Sequence, residues 1–418
     1  MDYKFLSKTG IILLLLFPFF KPAAFNLYPI LTKFYSLAAI AVAAVIAILF
    51  LIRGKISFMT VGYLGFAAAL LISTLINHGS NLNNLINAEI KLLAICMLTE
   101  MVVEEHAEQF LEALFILLFA LTFLNLVFIL VYPDGFYHDN VFGNKYNFLD
   151  IDNALAKYLI PGAIAGTICK KIKARPSLLF SMMVWAMWAM VYLTAFLTWS
   201  ATFVVGVFIL LIFFLFLYRN KGKKQWSFLT LSILYVVIFL GIIIFRVQNL
   251  FSYFIEGVLQ KDLTFSNRTL IWDGALKMIQ ENFWVGYGWN LHNVYVPYKN
   301  LFLLGAHNHF LQILLAGGCM TFVFFVWQIV LCGMKLQKYK NNQCASIIAI
   351  TIFAFWIMML MEYYGFVELY YVMLILGYNI DKISKQAIRE SNTIKASKGS
   401  RYIIDNKVQK RKACRYII

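Results

Sequence analysis

Apolar runs of about 20 residues recur along most of the chain, and this blocked pattern constrains the fold more than any other feature. A helix needs about 20 apolar residues to cross a hydrocarbon core ~30 Å thick. Hydrophobic residues make up 62% of the 418 residues and charged residues only 13%, whereas soluble domains carry about 25% charged residues. The sequence therefore predicts an all-α, polytopic membrane protein and excludes a soluble globular fold.

We predict twelve spans, which form one transmembrane domain over residues 1–380. The first apolar stretch has no A-x-A-like cleavage site and runs into further apolar segments, so we interpret it as a retained span rather than a signal peptide. The predicted spans are Gly10–Phe25, Tyr28–Ile52, Ser57–Ile76, Glu89–Val103, Phe110–Tyr132, Asn153–Cys169, Leu178–Leu197, Ala201–Tyr218, Ser227–Phe245, His309–Met334, Cys344–Met361 and Phe366–Ile380.

Clusters of Lys and Arg indicate the orientation, because such clusters favour the cytoplasmic side of a membrane. With twelve spans and a cytoplasmic N-terminus, all of them fall on that side: Arg53–Lys55, Lys170–Arg175, Arg219–Lys224, Lys335–Lys340 and the tail 381–418. The tail holds 11 Lys/Arg and 3 Asp/Glu, half of the net charge of +16. We interpret it as a topology signal that is attracted to anionic lipid, and not as a nucleic-acid-binding segment. The prediction is a multi-pass protein of the cytoplasmic membrane with both termini inside.

The largest predicted outer loop covers residues 247–306 and contains a helical pattern. Leu270, Ile271, Ala275, Leu276 and Ile279 recur at helical spacing, with Ser266 or Asn267 as the N-cap. Arg268 then lies in the first turn, and Trp272 lies one turn later on the same side. An arginine at the positive end of a helix dipole is unfavourable unless an anion shares the site, so we predict that Arg268 holds a phosphate. The alternative is a solvated loop arginine.

His307 lies at the outer mouth of the span that begins at His309. Histidine is the residue most able to exchange a proton near neutral pH, so His307 is a candidate base. The alternative is a histidine that only caps or packs. A metal site shared with His309 is disfavoured, because residues two apart point to different sides of a helix and no carboxylate or thiol lies close in sequence. We predict no metal and no cofactor.

Two further features complete the candidate set. Gly286 and Gly288 permit a tight turn, but nothing marks a strand before it or a phosphate-loop lysine after it. Glu362 follows the eleventh span, where a carboxylate is costly without a task. We predict that Glu362 orients His307 or contacts a substrate, and the alternative is a solvated charge at the end of a span.

The order and spacing of these residues resemble a known superfamily. Asn267-Arg268-x-x-Ile271-Trp272, then Gly286-x-Gly288, then His307-Asn308-x-x-Leu311-x-x-Leu314-x-x-x-Gly318 is similar to the signature of the O-antigen ligase and Wzy-type polysaccharide polymerase superfamily. The layout of many spans with one large outer loop before a late span is also similar. Gly143-Asn144-Lys145-Tyr146-Asn147 resembles the Gly-Asn-x-Asn string of that superfamily's earlier outer loop.

The resemblance implies a GT-C-like fold and a metal-independent glycosyl transfer at the outer face of the membrane. The donor would be an oligosaccharide on a polyprenyl diphosphate, the acceptor a growing glycan, and a chain-length regulator would be a protein partner. His307 would act on the acceptor hydroxyl, and Arg268 would stabilise the departing diphosphate. Asn308, Trp272, Asn144, Lys145 and Glu362 would contact substrate.

One departure from the pattern concerns a second arginine. The superfamily often has a Ser/Thr-Arg-x-Thr string on an earlier span, and the matching place here reads Thr198-Trp199-Ser200-Ala201-Thr202, without arginine. Arg246 or Lys145 are the substitutes we predict. The Ser-Ala-Thr variant favours a polymerase of capsule, exopolysaccharide or O-antigen over the alternative of an O-antigen ligase. A flippase or transporter is the second alternative, disfavoured because transporters place charges near the midplane of the membrane.

Overall fold

The computed structural model describes residues 8–78, 81–139, 143–219, 225–246, 268–289, 293–296 and 301–385. Twelve α-helices lie in these ranges: α1 (Thr9–Leu16), α2 (Pro29–Arg53), α3 (Phe58–Ile76), α4 (Leu82–Val131), α5 (Ala156–Ile172), α6 (Leu178–Thr198), α7 (Ala201–Arg219), α8 (Phe228–Phe239), α9 (Arg268–Glu281), α10 (His309–Lys338), α11 (Gln343–Met361) and α12 (Glu368–Tyr378). Two antiparallel hairpins also occur, β1 (Tyr137–His138) with β2 (Lys145–Tyr146), and β3 (Asn293–Val296) with β4 (Leu301–Leu304).

The helices confirm an all-α, multi-pass membrane protein. Within the described ranges, seven helices are long and apolar enough to cross a membrane: α2, α3, α4, α6, α7, α10 and α11. The predicted spans that remain coincide with the shorter helices α1, α5, α8 and α12. Because length and composition alone do not show that the shorter helices cross, the count of twelve spans and the GT-C-like arrangement stay predictions. Of the basic tail predicted over 381–418, residues 386–418 lie outside the described ranges.

Helix α4 combines the two predicted spans Glu89–Val103 and Phe110–Tyr132 in a run of 50 residues. A straight helix of that length would be about 75 Å long, more than twice the hydrocarbon thickness. The run is divided at His106, whose backbone is not helical (φ −130°, ψ 46°). Glu104 pairs with Arg53 on one side of this kink, and Glu108 lies 3.1 Å from Lys173 on the other. Polar side chains therefore lie at the kink, where the two apolar segments of α4 meet.

Burial separates the inner helices from the outer ones. In the most apolar stretch of α11, 89% of the residues are buried inside the protein, against 28% for α2 and 22% for α7. Two glycines let α10 approach α3 closely. A Cβ at Gly62 would lie 2.6 Å from Cγ of Gln328, and a Cβ at Gly65 would lie 2.3 Å from Cε1 of Phe324. Helix α11 is thus the centre of the bundle, and α2 and α7 present side chains outward to lipid.

Helix α10 is interrupted at Gly318, whose φ of +61° and ψ of −167° belong to a region that glycine alone adopts readily. The break interrupts the helical ladder of hydrogen bonds. Residues 283–288, here called the inserted segment, supply four bonds in their place: Cys319 N–H to Phe283 O at 2.8 Å, Met320 N–H to Trp284 O at 3.3 Å, Tyr287 N–H to Leu315 O at 2.8 Å, and Gly288 N–H to Ala316 O at 2.8 Å.

The inserted segment also gives the Gly286-x-Gly288 motif a structural role. Gly286 has a φ of +72°, and a Cβ there would lie 2.6 Å from both the nitrogen of Gly318 and the carbonyl oxygen of Leu315. The N–H groups of Tyr287 and Gly288, which a phosphate loop would offer to a ligand, already donate to α10. The motif therefore joins the end of α9 to α10, so the helix that carries Arg268 is fixed relative to the helix that follows His307.

Candidate active site at the ends of α9, α10 and α11

Asn308 connects the start of α10 to the end of α11. Its Oδ1 accepts from the N–H of Leu311 at 3.0 Å, which makes it the N-cap of α10. Its Nδ2 donates to the carbonyl oxygen of Leu360 at 3.1 Å, which ties α10 to the end of α11. Asn308, predicted to contact substrate, is fully buried here with both of its polar atoms engaged, and it connects α10 to α11.

His307, the residue before Asn308, has a left-handed backbone (φ +47°), which is uncommon for a residue other than glycine. The residue before it is fixed, because the N–H of Ala306 donates to Oε1 of Gln312 at 2.7 Å. The His307 side chain is 42% exposed, and its Nδ1 lies 3.9 Å from Oε2 of Glu362. That distance suits an ion pair but is too long for a hydrogen bond. The imidazole is therefore next to a carboxylate and open to an external hydroxyl.

Glu362 is the residue that links the site together. It follows α11 directly, and only 12% of its side chain is exposed. Its Oε1 accepts from Nη2 of Arg268 at 2.8 Å. Burial alone would raise the pKa of this carboxyl, but His307 and the Arg268 guanidinium outweigh it and hold the pKa below its ordinary value. Glu362 is thus an ionised, buried carboxylate between a histidine and an arginine, rather than a solvated charge.

Arg268 is the first residue described in α9, and its predicted N-cap, Ser266 or Asn267, lies outside the described ranges. Its Nη1 donates to the carbonyl oxygen of Met361 and its Nη2 to Glu362. These bonds use two of the five N–H donors that a guanidinium has. The side chain is 21% exposed. Arg268, Glu362 and His307 therefore form one cluster, here called the cluster. Arg268 keeps N–H donors within it for a further anion.

Trp272, on α9, contacts Arg246, which lies beyond α8 in the chain. The Trp272 side chain has no exposed surface, and the Arg246 guanidinium lies 5.5 Å from the centre of one of its rings. Arg246 also pairs with Asp273 and donates to the carbonyl oxygen of Thr269 at 3.2 Å. Trp272, predicted to contact substrate, is packed away from solvent here. Nη1 of Arg246 is buried and has no hydrogen-bond partner in the described part of the chain.

Asn144 and Lys145 lie on the β1–β2 hairpin. The N–H of Asn144 donates to Oδ2 of Asp139 at 3.0 Å, and Nζ of Lys145 lies 3.7 Å from Oδ2 of Asp152. Among the residues that the structure describes, no hydrogen bond or ion pair joins either side chain to His307 or Arg268. The structure places both on the β1–β2 hairpin and not beside His307 and Arg268.

Two side chains that the sequence did not single out do reach the cluster. Nδ2 of Asn153 donates to Oε1 of Glu362 at 3.3 Å, and Oγ of Ser200 donates to Oδ1 of Asn153 at 2.7 Å. Asn153 is the first residue of a predicted span, and Ser200 belongs to the string in which an arginine is missing. A polar residue at the predicted outer end of a span was the available signal, but it does not say which residue it meets.

His309 differs sharply from His307. Its side chain is 2% exposed and packs against the rings of Tyr363 at 5.6 Å and Phe325 at 5.8 Å. Neither ring nitrogen has a hydrogen-bond partner among the described residues. The described ranges contain no group of three or more His, Cys, Asp or Glu side chains that could hold a metal ion.

Comparison with known protein families finds a match to part of the chain. Residues 183–326 match the model of a family described as O-antigen ligase. The predicted resemblance is confirmed. The matched segment carries Ser200, Arg246, Arg268 and His307, and it supports an enzyme of the kind that family contains. None of the curated proteins compared with the chain matches it in sequence.

Proposed function

We propose that the chain is a surface polysaccharide polymerase of the cytoplasmic membrane, which joins repeat units into a capsule, exopolysaccharide or O-antigen chain at the outer face. Each donor would be an oligosaccharide on a polyprenyl diphosphate. The observation that carries the proposal is the convergence of an exposed His307, a buried ionised Glu362 and Arg268 at the ends of three helices. The cluster offers a base and an anion holder within one site.

The proposed reaction assigns one task to each charged group. His307 takes the proton of the acceptor hydroxyl, and the electron pair left on that oxygen forms the bond to the anomeric carbon of the donor. The bond from this carbon to the diphosphate oxygen breaks, and its electron pair leaves with the lipid diphosphate. Arg268 stabilises the charge that grows on this leaving group. Glu362 stabilises the imidazolium that forms, because it is ionised and lies beside it.

Other predicted contacts take secondary places in this proposal. Arg246 is our candidate for the second diphosphate contact, since its Nη1 is free of partners in the described ranges. Asn144 and Lys145 would meet the glycan on the outer loop. Asn308 and Trp272 would support the cluster from within. Arg268 supplies the charge neutralisation that a metal ion supplies in other transferases, so the proposed reaction needs no metal.

A ligase that moves a finished glycan onto a lipid or protein acceptor is the second candidate, because the matched family is described as O-antigen ligase. The bond broken and the bond formed would be of the same kind. A chain-length regulator as a partner belongs to the polymerase alone.

The test uses purified protein in liposomes with a lipid-linked repeat unit and EDTA. We expect a ladder of glycan lengths on a gel from the natural chain. Arg268→Lys keeps the charge but loses the two-pronged geometry, so it should be impaired, and Arg268→Ala should lose on the order of 10²–10³ in rate. Loss of the ladder in EDTA, restored by one metal ion, would overturn the metal-free mechanism.

The same assay separates the candidates. A single product on an added acceptor, without a ladder, would favour the ligase. Movement of the lipid-linked glycan across the bilayer with no new glycosidic bond would make the chain a flippase and would remove the role given to His307.

A further inference from the structure

The Glu362 carboxylate is held at one oxygen and left open at the other. Oε1 accepts from Nη2 of Arg268 at 2.8 Å and from Nδ2 of Asn153 at 3.3 Å. Oε2 faces Nδ1 of His307 at 3.9 Å. Two donors on the same oxygen, coming from α9 and from the loop before α5, fix the rotation of the carboxylate. We propose that Asn153, oriented by Ser200, is a positioning residue that aims Glu362 at His307, an inference that rests on the proposed function.

Ser200 and the Glu362 carboxylate together favour one orientation of the Asn153 amide, because its nitrogen donates to the carboxylate and its oxygen accepts from the hydroxyl. Oγ of Ser200 donates to Oδ1 of Asn153 at 2.7 Å, so the amide nitrogen is turned toward Glu362. The flipped amide would bring a carbonyl oxygen against an ionised carboxylate, which is unfavourable. Asn153 itself is exposed whereas Ser200 is 5% exposed. The buried hydroxyl therefore holds a side chain that would otherwise rotate freely.

Residues 143–147, which resemble the Gly-Asn-x-Asn string, help to position Asn153. Asn153 lies in the 3₁₀ turn Asp152–Ala154. The turn is held because Nδ2 of Asn147 donates to Oδ1 of Asp152 at 2.6 Å and Nζ of Lys145 lies 3.7 Å from Oδ2 of Asp152. Lys145 and Asn147 of the string therefore hold the residue next to the side chain that reaches Glu362. The string contributes to the site through the backbone at Asn153.

Ser200 brings in the segment where an arginine is missing. It lies in the short connection between α6 and α7, after Trp199, whose left-handed φ of +48° ends α6. A hydroxyl at this place cannot neutralise a diphosphate, but it joins the segment to the base through Asn153. The connection between α6 and α7 would therefore affect His307, which acts on the acceptor hydroxyl, rather than the diphosphate leaving group.

An isosteric variant, Asn153→Asp, and a truncation, Asn153→Ala, test the proposal. Asn153→Asp keeps the shape and the bond from Ser200, but it puts a second carboxylate beside Glu362 with only Arg268 to share. We expect kcat to fall about 10-fold or more in Asn153→Ala and further in Asn153→Asp, with KM for the donor little changed, since misplacing a catalytic group by ~1 Å costs up to ~10² in rate. If Asn153 only fills space, Asn153→Asp should resemble the natural chain and exceed Asn153→Ala, and that order would overturn the proposal.

A double variant locates the effect at Glu362. Glu362→Gln removes the negative charge and leaves an amide that can donate to the carboxylate introduced by Asn153→Asp. The protein that carries both substitutions should therefore be no slower than Glu362→Gln alone. The thermal midpoint of the protein in detergent, lowered by Asn153→Asp, should recover in the double variant. Losses in rate that multiply would show that the two residues act independently, against the proposal.

Ser200 provides the rescue and the matched control. Ser200→Ala should lower kcat as Asn153→Ala does, and Ser200→Thr, which keeps the hydroxyl, should restore it. Thr198→Ala is the control, because the Thr198 hydroxyl donates to the carbonyl of Thr194 within α6 at 2.9 Å and takes no part in the chain of bonds that ends at Glu362. This Ser200 series decides the question if Asn153→Asp does not reach the membrane.

The outcome is separable from that of the proposed function. An active His307→Ala protein would defeat the base assignment whatever Asn153 does. An inactive His307→Ala protein beside a fully active Asn153→Asp protein would leave His307 in place and remove only the positioning role. A rise in KM with unchanged kcat in Asn153→Ala would make Asn153 a substrate contact and would likewise overturn the inference.

Discussion

The two histidines of the His307-Asn308-His309 string have opposite surroundings, and this contrast is the sharpest test at the scale of single residues. Asn tolerates a left-handed backbone, so His307→Asn should fold and lose polymerisation for want of a base. Leu suits a buried apolar site, so His309→Leu should stay active, because it replaces two ring nitrogens that lack partners in the described ranges. The measurement is the glycan ladder, normalised to the amount of protein in the membrane. Activity in His307→Asn beside inactivity in well-folded His309→Leu would show that the wrong imidazole was chosen.

Glu362 gives the protein a specific sensitivity to acid. Its pKa is lowered in the folded protein, so its contribution to stability is complete above the ordinary glutamate pKa of ~4.3 and is lost as pH falls through the lower folded value. We expect the thermal midpoint of the natural chain in detergent to fall on acidification through this window. In Glu362→Gln the fall should be shallower. Equal slopes in the two proteins would mean that the carboxylate is not held by Arg268 and His307 in solution.

The residues that the sequence did and did not reveal differ in what makes them useful. The sequence singled out Arg268 and His307 because a charge or an imidazole at the end of an apolar helix is conspicuous on its own. Asn153 and Ser200 were missed because their value lies in pairing, Asn153 with a residue 209 positions away and Ser200 with one 47 positions away. The burial of Asn308 and Trp272, both predicted as substrate contacts, could not be predicted because exposure is not visible in a sequence.

At the scale of elements, helix length and apolar content predicted the helices well, and backbone interruptions were missed. The stretch Ala316-Gly317-Gly318 lies in a continuous apolar run, so the pattern predicted one unbroken span. The break at Gly318 depends on the inserted segment, which supplies the replacement bonds from 28 to 36 residues earlier in the chain. The glycine spacing was visible, but the partner of each glycine was not.

Gly318→Ala should therefore disable the protein without touching the cluster. A Cβ at Gly318 would lie 2.4 Å from the carbonyl oxygen of Trp284, and the backbone angles there exclude other residues. We expect the inserted segment to be displaced, Arg268 to lose its place relative to His307, and the rate to fall at least ~10²-fold. The measurement is the ladder together with protease resistance of the outer loop in membranes.

Gly54→Asn is the matched control for that variant. Gly54 also has a positive φ, +63°, at the end of α2, but a Cβ there meets nothing within 4 Å. Asn accepts this conformation at the end of a helix, so activity should be retained. If Gly318→Ala were as active as Gly54→Asn, the break in α10 would not hold the site together.

At the scale of the whole molecule, polar contacts divide the bundle into two ends. The loop before α5 supplies Asn153 to Glu362, so the β1–β2 hairpin and His307 share one end. At the other end, Arg53 pairs with Glu104 at the kink of α4, and Lys171 donates to Oε1 of Gln343 at 2.8 Å. The second end holds the basic clusters near residues 53, 171 and 340. The basic clusters and the candidate active site therefore lie at opposite ends of the helix bundle.

This division predicts the orientation in the membrane. In a background with all cysteines replaced, a cysteine at Asp134 should react with an impermeant maleimide on intact cells, and a cysteine at Lys340 should react only after the membrane is opened. Both residues are exposed, so access and not burial decides the result. The basic end should face the cytoplasm because Lys and Arg clusters are retained there. Asp134 shares the end of the bundle that carries His307, and a donor at the outer face requires that end to be outside. Labelling of Lys340 but not Asp134 on intact cells would put His307 in the cytoplasm, and the proposed glycosyl transfer at the outer face would fall with it.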